Sequence, residues 1–486
     1  MATRDEDVAA LSGLPAVRAV SLMRDGALSA ERYAGALLAR CAQAQALNAF
    51  ISLEPARVLE AARAADLSRA AGATPGVLHG LPVPVKDSIN TRDYPTTAGT
   101  PALREFRPAS DAAIVTALRQ AGAIVLGKTN LHELSYGWTS NNLAFGAVHN
   151  PHDLTRIAGG SSGGTAAAVA AGLAPLGVAA DTEGSIRVPA ALCGIAGLRP
   201  TTGRYPSTGT APISALFDQV GPHARVVEDL ALFDAVASGD HRPLAATPLA
   251  GVRLAVARGY YFDRLDPEVE RIASAALRAL AAAGVELVEA EVPDLAALVK
   301  LITAQVQNHD VRPQLTRYLE ACGAGVGFDA VLAAASTDVR GVFAHDVLPG
   351  GPGFVTEADY RAAVDVHLPR LQETFRRYFA ATGAAAIVFP ATLVTAPLIG
   401  ADNEVTIRGR RVPLAVALAR NICPGSTAGL PGLVLPAGIA PDGLPVALEF
   451  DAPAGDDRAL LALGLALEQV LGSAPPVPLQ RWSRTA

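Results

Sequence analysis

Helical segments alternate with short apolar runs along much of this chain, and that alternation limits the folds open to it. Residues 111–122 form an amphipathic helical pattern that ends in glycine, and the apolar run 123–127 follows at once. The same order recurs with a helix predicted over 267–284 and a strand over 285–292. This pattern predicts an α/β fold. Further strands are predicted at 81–85, 176–180, 251–256, 384–389, 432–436 and 444–450, and a last helix at 458–471.

The chain contains no internal repeat and no low-complexity linker, which favours a single domain over two. Residues 1–70 are predicted to be a helical N-terminal segment with one short extended piece at 48–51. The main domain is predicted to span 71–486. Within it, residues 295–355 are helical and irregular and end in a Pro/Gly-rich break, so we interpret them as an insertion that forms a substrate wall or lid.

Composition argues against several classes of protein. Half of the 486 residues are hydrophobic and only 18% are charged, which favours a compact globule over disorder. The net charge is −6 and no basic block stands out, so no nucleic-acid partner is expected. The apolar stretch 163–180 is mostly Ala and Gly and contains Pro175, so no membrane span is expected.

The N-terminus and the cysteines favour a cytoplasmic location. Residues 1–7 are polar and lack the basic and apolar regions of a secretory signal. The four cysteines are far apart and form no CxxC pair, which is typical of small core residues in a reducing compartment. We expect a cytoplasmic monomer or homodimer.

A glycine–serine loop, Gly-Gly-Ser-Ser-Gly-Gly at 159–164, precedes a predicted helix at 165–172. Such a loop can hold phosphate with its backbone amides, but no lysine follows at Walker spacing and no GxGxxG follows a strand. The loop also fits the G-x-S-x-G nucleophile elbow, which should follow a strand. Residues 153–157 have a poor strand pattern, which disfavours the elbow as the missing lysine disfavours phosphate binding.

A second serine, Ser185, ends a tight turn after the predicted strand 176–180. Backbone N–H groups converge beside a serine in such a turn, which is the geometry of an oxyanion hole. The alternative is an ordinary turn into a helix, in which Ser185 caps the helix.

Lys86 directly follows the apolar run 81–85. A lysine in that place is seldom buried unless it is paired or functional, and desolvation would lower its pKa enough for it to act as a base. The alternative is an exposed lysine paired with Asp87. No metal site is expected, because His132-Glu133 has no second histidine at zincin spacing and the nine histidines are scattered. No cofactor is expected either.

These elements together resemble the amidase signature family. Ser161 and Ser185 stand 24 residues apart, as in the family signature, and the surrounding residues follow that signature position by position. The other matching segments are 80–87, 150–151, 193–194, 197–201 and 218–222. The resemblance covers about residues 25–475. It implies the amidase signature fold, a large mixed β-sheet covered by helices on both sides.

The resemblance also implies a role for each residue of the signature. Ser185 would be the acyl nucleophile, Ser161, in a cis peptide, would relay its proton, and neutral Lys86 would be the terminal base. Backbone amides would hold the oxyanion at Thr182, Glu183, Gly184 and Ser185. The residues expected to support the loop are Ser162, Asp181 and Arg187. The implied activity is hydrolysis of C–N acyl bonds through an acyl-enzyme.

One departure from the family is Glu183, where glycine is usual. If that backbone needs a positive φ, a glutamate would be strained there. If it does not, the N–H still donates and the side chain changes only the rim of the site. We favour the second interpretation.

Within the family, the segments that resemble indoleacetamide and mandelamide hydrolases are 190–194, 203–206, 420–421, 424–426, 428–429 and 435–438. Related members cleave aryl carbamates, so the expected substrate is a small aryl amide or carbamate (urethane), with aryl esters also open. Tyr136 and Trp138 are interpreted as an aromatic wall, with core packing as the alternative. Arg204 is interpreted as a substrate contact, with a surface salt bridge as the alternative. An alternative function is a glutamine amidotransferase A-type subunit that passes ammonia to a partner.

Overall fold

The structure, a computed structural model, describes residues 5–473 and 477. Strands within these residues account for one large sheet and three two-stranded ribbons. They are β1 Phe50–Leu53, β2 Pro82–Lys86, β3 Ile124–Thr129, β4 Asn141–Asn142, β5 Gly146–Ala147, β6 His149–Asn150, β7 Asp153–Ile157, β8 Leu176–Asp181, β9 Ala196–Arg199, β10 Gln219–Ala224, β11 Arg253–Val256, β12 Glu286–Glu289, β13 Ala386–Pro390, β14 Glu404–Ile407, β15 Arg410–Pro413, β16 Gly432–Ile439 and β17 Pro445–Asp451.

Helices connect most of these strands. They are α1 Asp5–Ser12, α2 Ala16–Arg24, α3 Ala30–Gln43, α4 Pro55–Ala70, α5 Ala113–Gln120, α6 Gly163–Ala170, α7 Arg187–Cys193, α8 Val227–Ser238, α9 Arg258–Tyr261, α10 Pro267–Ala282, α11 Leu295–Ala321, α12 Phe328–Ala334, α13 Thr337–Val342, α14 Glu357–Ala362, α15 Leu368–Thr382, α16 Leu414–Ala419, α17 Cys423–Ala428 and α18 Asp457–Leu471. None of the helices in the described part of the chain is both long and apolar enough to cross a membrane.

The large sheet has eleven strands in the order β1-β3-β2-β8-β10-β9-β16-β17-β13-β11-β12. Pairing is parallel between β2 and both β3 and β8, and between β11 and both β12 and β13. The central pairs from β8 to β13 run antiparallel. The sheet is therefore mixed, as predicted.

Helices cover both faces of this sheet, because neighbouring residues of β16 point to opposite faces and both are apolar. Leu433 packs in a core cluster with α8 and α18, whereas Val434 packs in a second cluster with α6 and α7. Successive strand residues point to opposite faces, so an uninterrupted apolar strand needs cover on both sides. The predicted α/β fold is confirmed.

The predicted elements agree with the structure apart from their ends and one strand. The N-terminal helices are α1 to α4, and β1 is the short extended piece expected among them. The exception is β7, because residues 153–157 were expected to be a poor strand. It pairs with β6 in a ribbon outside the main sheet. A local hairpin needs no buried face, so its polar residues are tolerated there.

Candidate active site

The parallel pairing of β2 with β8 brings the ends of both strands to one edge of the sheet. Lys86 is the last residue of β2 and Asp181 the last of β8, and the turn to Ser185 follows directly. The glycine–serine loop reaches the same edge. There the Ser162 N–H donates to the Ser185 carbonyl at 3.3 Å, and the Ser162 hydroxyl donates to the Ala180 carbonyl at 3.1 Å.

Lys86 is fully buried and contacts the glycine–serine loop. Its Nζ lies 2.7 Å from Ser161 Oγ and 3.3 Å from the Ala180 carbonyl oxygen. Burial lowers the pKa of Lys86 to about 7, against the opposing charges of Asp181 and Asp218. Neutral amine is therefore abundant near neutral pH. The alternative pairing with Asp87 is not found, because Asp87 binds Lys128 at 3.0 Å.

The Gly160–Ser161 peptide bond is cis, as the family resemblance implies. The Ser161 carbonyl accepts hydrogen bonds from the His132 N–H at 3.0 Å and the Ser140 hydroxyl at 3.2 Å. A Cβ at Gly160 would lie 2.7 Å from the Trp138 carbonyl carbon, so only glycine fits there.

The two serines differ in their access to substrate. Ser161 is fully buried, whereas Ser185 retains 7% exposure and lines a cavity. A nucleophile elbow would present its serine hydroxyl openly, which Ser161 does not. Of the two serines, therefore, Ser185 lines this cavity and Ser161 contacts Lys86.

Asp181 fixes the turn between β8 and α7. One carboxylate oxygen accepts from the Gly184 N–H at 2.7 Å, and the other accepts from the Ile186 N–H at 2.9 Å and Arg187 Nε at 3.1 Å. Arg199 adds a contact at 3.2 Å. Burial opposes ionisation, but the two arginines outweigh it and hold the pKa of Asp181 well below its usual range.

The bond from Gly184 corrects one prediction. Its N–H is already committed to Asp181, so it is not available to an oxyanion. Within the described residues, the N–H groups of Thr182, Glu183 and Ser185 have no acceptor, and all three residues line the cavity. These amides remain the predicted oxyanion hole.

Glu183 does not have a positive φ, unlike Gly184 at +117°, so its backbone is not strained by the glutamate. Its side chain, however, does more than alter the rim. The Gln307 amide nitrogen, on α11, donates to the Glu183 carboxylate at 2.7 Å. Burial raises the pKa of Glu183, while hydrogen bonds from Cys423 and Gln307 oppose that rise.

A cavity of about 90 Å³ lies beside Ser185 and continues into a wider opening. Tyr136 and Trp138 line both spaces, as the aromatic-wall interpretation expected. The Tyr136 hydroxyl donates to Asn308 Oδ1 at 2.9 Å, and its ring meets Phe343 edge-on at 4.9 Å. The remaining lining residues are Ser135, Gly137, Thr182, Glu183, Ile213, Gln307 and Val342.

Arg204 lies elsewhere, which corrects its interpretation as a substrate contact. Its guanidinium donates to both carboxylate oxygens of Asp234, at 2.8 and 3.0 Å. It lines neither of the two spaces next to Ser185. The salt-bridge alternative is the one that the structure supports, although Asp234 is buried rather than on the surface.

Three cavity residues carry no signal in the sequence: Gln307, Ile213 and Val342. Gln307 and Val342 belong to the segment 295–355 that we interpret as a substrate wall, but their positions have no motif or periodicity to mark them. Asp218 lies in a segment that matches the family, but the sequence assigns it no role. It accepts from the Thr182 hydroxyl at 2.6 Å, and burial raises its pKa to about 6.

Comparison with known proteins agrees with this geometry. Residues 33–461 match the Amidase family. The indoleacetamide hydrolase of Agrobacterium vitis is 40% identical over 90% of this chain and 92% of its own length. The mandelamide hydrolase of Pseudomonas putida is 37% identical over 95% of this chain and 92% of its own length.

Solved structures give the same result. A crystal structure of an amidase superposes with a TM-score of 0.84 at 31% identity, covering 94% of this chain and 100% of the other. The family assignment rests on three findings: a family match over most of the chain, relatives at this level of identity, and the same fold. This chain belongs to the amidase signature family and is an amide-hydrolysing enzyme.

Proposed function

We propose that this enzyme hydrolyses small aryl amides with Ser185 as nucleophile, Ser161 as proton relay and Lys86 as terminal base. The observation that carries the proposal is the 2.7 Å contact between Lys86 Nζ and Ser161 Oγ in a fully buried setting. Because the pKa of this desolvated amine is near 7, a large fraction of it is neutral near neutral pH and can accept a proton. Ser185 lies in the next turn at the same sheet edge.

In the acylation step, Ser185 Oγ attacks the amide carbonyl carbon and its proton passes to Ser161, whose own proton passes to Lys86. The oxyanion is stabilised by the amides of Thr182, Glu183 and Ser185. Collapse breaks the C–N bond, and the leaving nitrogen takes the proton back through the relay. Water then repeats the attack on the acyl-enzyme, so that amide and water give acid and amine.

The aryl preference is supported by the cavity wall, where Tyr136, Trp138, Ile213 and Val342 offer apolar surface beside Ser185. The two relatives named above are named for amides with an aromatic acyl group. Aryl carbamates and aryl esters present the same acyl carbonyl to the nucleophile, so we include urethane and ester cleavage in the proposal.

The amidotransferase alternative is weaker, because no feature of the cavity favours transfer of ammonia to a partner over release. Turnover by the isolated chain separates the two. The purified protein should hydrolyse phenylacetamide, indole-3-acetamide or mandelamide without any added protein, and phenyl N-methylcarbamate in the same assay tests the carbamate claim. No turnover of any aryl amide would contradict the proposal.

The nucleophile is tested by covalent labelling. A fluorophosphonate probe should modify Ser185, located by peptide mass spectrometry, and Ser185→Ala should lose roughly 10³-fold or more in kcat with the fold intact. Ser68→Ala, an exposed position on α4, is the matched control and should behave as wild type. An adduct on Ser161 would overturn the assignment.

A further inference from the structure

The cavity beside Ser185 is largely apolar, but it has a polar corner formed by Glu183 and Gln307. Gln307 Nε2 donates to Glu183 Oε2 at 2.7 Å, and that bond turns the Gln307 amide oxygen away from the carboxylate. The amide oxygen accepts no hydrogen bond from the described residues. Both side chains line the cavity, so both can face a bound acyl group.

The Glu183 carboxylate and the Gln307 amide oxygen make this corner rich in hydrogen-bond acceptors. The Gln307 amide nitrogen acts as a donor towards the Glu183 carboxylate. A carboxylate has about four lone-pair sites, so this donor leaves capacity for another. Glu183 is only partly exposed, and a carboxylate that loses water on ligand binding is costly unless its hydrogen bonds are made, which favours a ligand that supplies a donor.

Two side-chain donors that line the cavity are already committed to other partners. The Tyr136 hydroxyl donates to Asn308, and the Thr182 hydroxyl donates to Asp218. Neither competes for the Glu183 carboxylate, so a donor on the acyl group of the substrate can bind there. The backbone amides of the turn are donors as well, but they serve the reacting carbonyl rather than the acyl group.

We propose that Glu183, together with Gln307, is a specificity-determining residue that selects acyl groups carrying an N–H or O–H donor over acyl groups of the same shape without one. The inference rests on the proposed amide hydrolysis, because it concerns the acyl group held beside Ser185. The competing explanation is that Glu183 only ties the catalytic turn to α11. That explanation predicts equal effects on all substrates.

Two pairs of substrates test the proposal with the unmodified enzyme. Indole-3-acetamide and benzofuran-3-acetamide differ by an N–H replaced with oxygen, and mandelamide and 2-fluoro-2-phenylacetamide differ by a hydroxyl replaced with fluorine. A hydrogen bond to a charged group should favour the donor member of at least one pair by about 10- to 100-fold in kcat/KM. Ratios near one in both pairs, or acceptance of phenylacetamide alone, would overturn the inference.

Variants assign the preference to the carboxylate. Glu183→Met removes the acceptor at similar length, so the preferred pair's ratio should fall towards one. Glu183→Gln keeps an acceptor and should retain part of the preference, and it also serves if the methionine variant does not fold. Gln307→Met removes the tie to α11 but leaves the carboxylate, so it should keep more of the preference than Glu183→Met.

The outcomes distinguish this inference from the proposed function. If Glu183→Met slows both members of a pair by the same factor, Glu183 only positions the turn and the inference is wrong while the enzyme remains an amidase. If the wild-type protein hydrolyses none of these amides, and no other aryl amide, the proposed function itself fails.

Discussion

The two walls of the active site are built in different ways. The inner wall comprises Lys86, Ser161 and the turn from Asp181 to Arg187, and it is held by buried ion pairs and backbone hydrogen bonds at the ends of β2 and β8. The outer wall, with Tyr136, Trp138 and Val342, comes from loops and the helical insertion and is mostly apolar. Directional polar contacts hold the inner-wall side chains in one geometry, whereas the non-directional apolar contacts of the outer wall accept substrates of different shape.

If the inner wall is the catalytic part, the largest loss should follow from removing its base. Lys86→Met should lower kcat by roughly 10²- to 10⁴-fold. In the wild type the active form is the neutral amine, so the rate should rise with pH through about 7. The variant's residual activity should lose that rise. Steady-state rates from pH 5 to 9 measure both effects, and a Lys86→Met profile that still rises near pH 7 would contradict the role.

The same contrast predicts where stability is concentrated. Asp181→Asn removes the charge shared by Arg187 and Arg199, all three being fully buried, and should cost about 3–5 kcal/mol of unfolding free energy. Glu373→Gln is the control, because it breaks an exposed ion pair with Arg376 on α15 and should leave the thermal midpoint nearly unchanged. Chemical denaturation of both variants tests this, and equal small losses would mean that the turn does not depend on Asp181.

The two buried lysines, Lys86 and Lys128, differ in what they contribute to activity and to stability. Lys86 forms no ion pair with the described residues, whereas Lys128 pairs with Asp87 at 3.0 Å. Between pH 7 and 10.5 the unfolded chain binds a proton at Lys86 that the folded chain lacks, so stability rises with pH across that window.

At pH 7.5, therefore, Lys86→Met should raise the thermal midpoint even though it abolishes the proposed base. Lys128→Met should lower it, because Asp87 is left buried without its partner. Thermal unfolding of the pair at pH 7.5 is the measurement. A destabilised Lys86→Met variant would show that the lysine is retained for packing as well as for chemistry.

The sequence predicted those parts of the two walls whose contacts are local in the chain, and it missed those whose contacts are long-range. Lys86, Ser161 and Ser185 each stand at the end of a short apolar run or in a glycine turn, and such local patterns are visible in a sequence. Gln307 meets Glu183 across 124 positions, a pairing that no spacing or motif marks. Long-range contacts of this kind appear only when the fold brings the segments together.

Two errors have the same physical origin. The sequence does not show that Asp181 takes the Gly184 N–H, because the turn is compatible with either use of that amide. It likewise does not show that Arg204 is held by Asp234, which lies 30 residues further along the chain on α8. In both cases a carboxylate that only the folded chain places nearby decides what the group does.

The smallest predicted effect tests the outer wall. Trp138→Ala should lower kcat/KM for phenylacetamide by roughly 10-fold, because the ring loses an apolar contact that contributes on the order of 1–2 kcal/mol. A small aliphatic amide such as propionamide does not reach that contact and should lose far less. Tyr136→Phe is the control, since it keeps the ring and removes only the hydroxyl that donates to Asn308. Comparing kcat/KM for the two amides in both variants isolates the ring of Trp138. Equal losses on both amides would mean that Trp138 supports the loop around Gly160, which lies against its backbone, rather than the substrate.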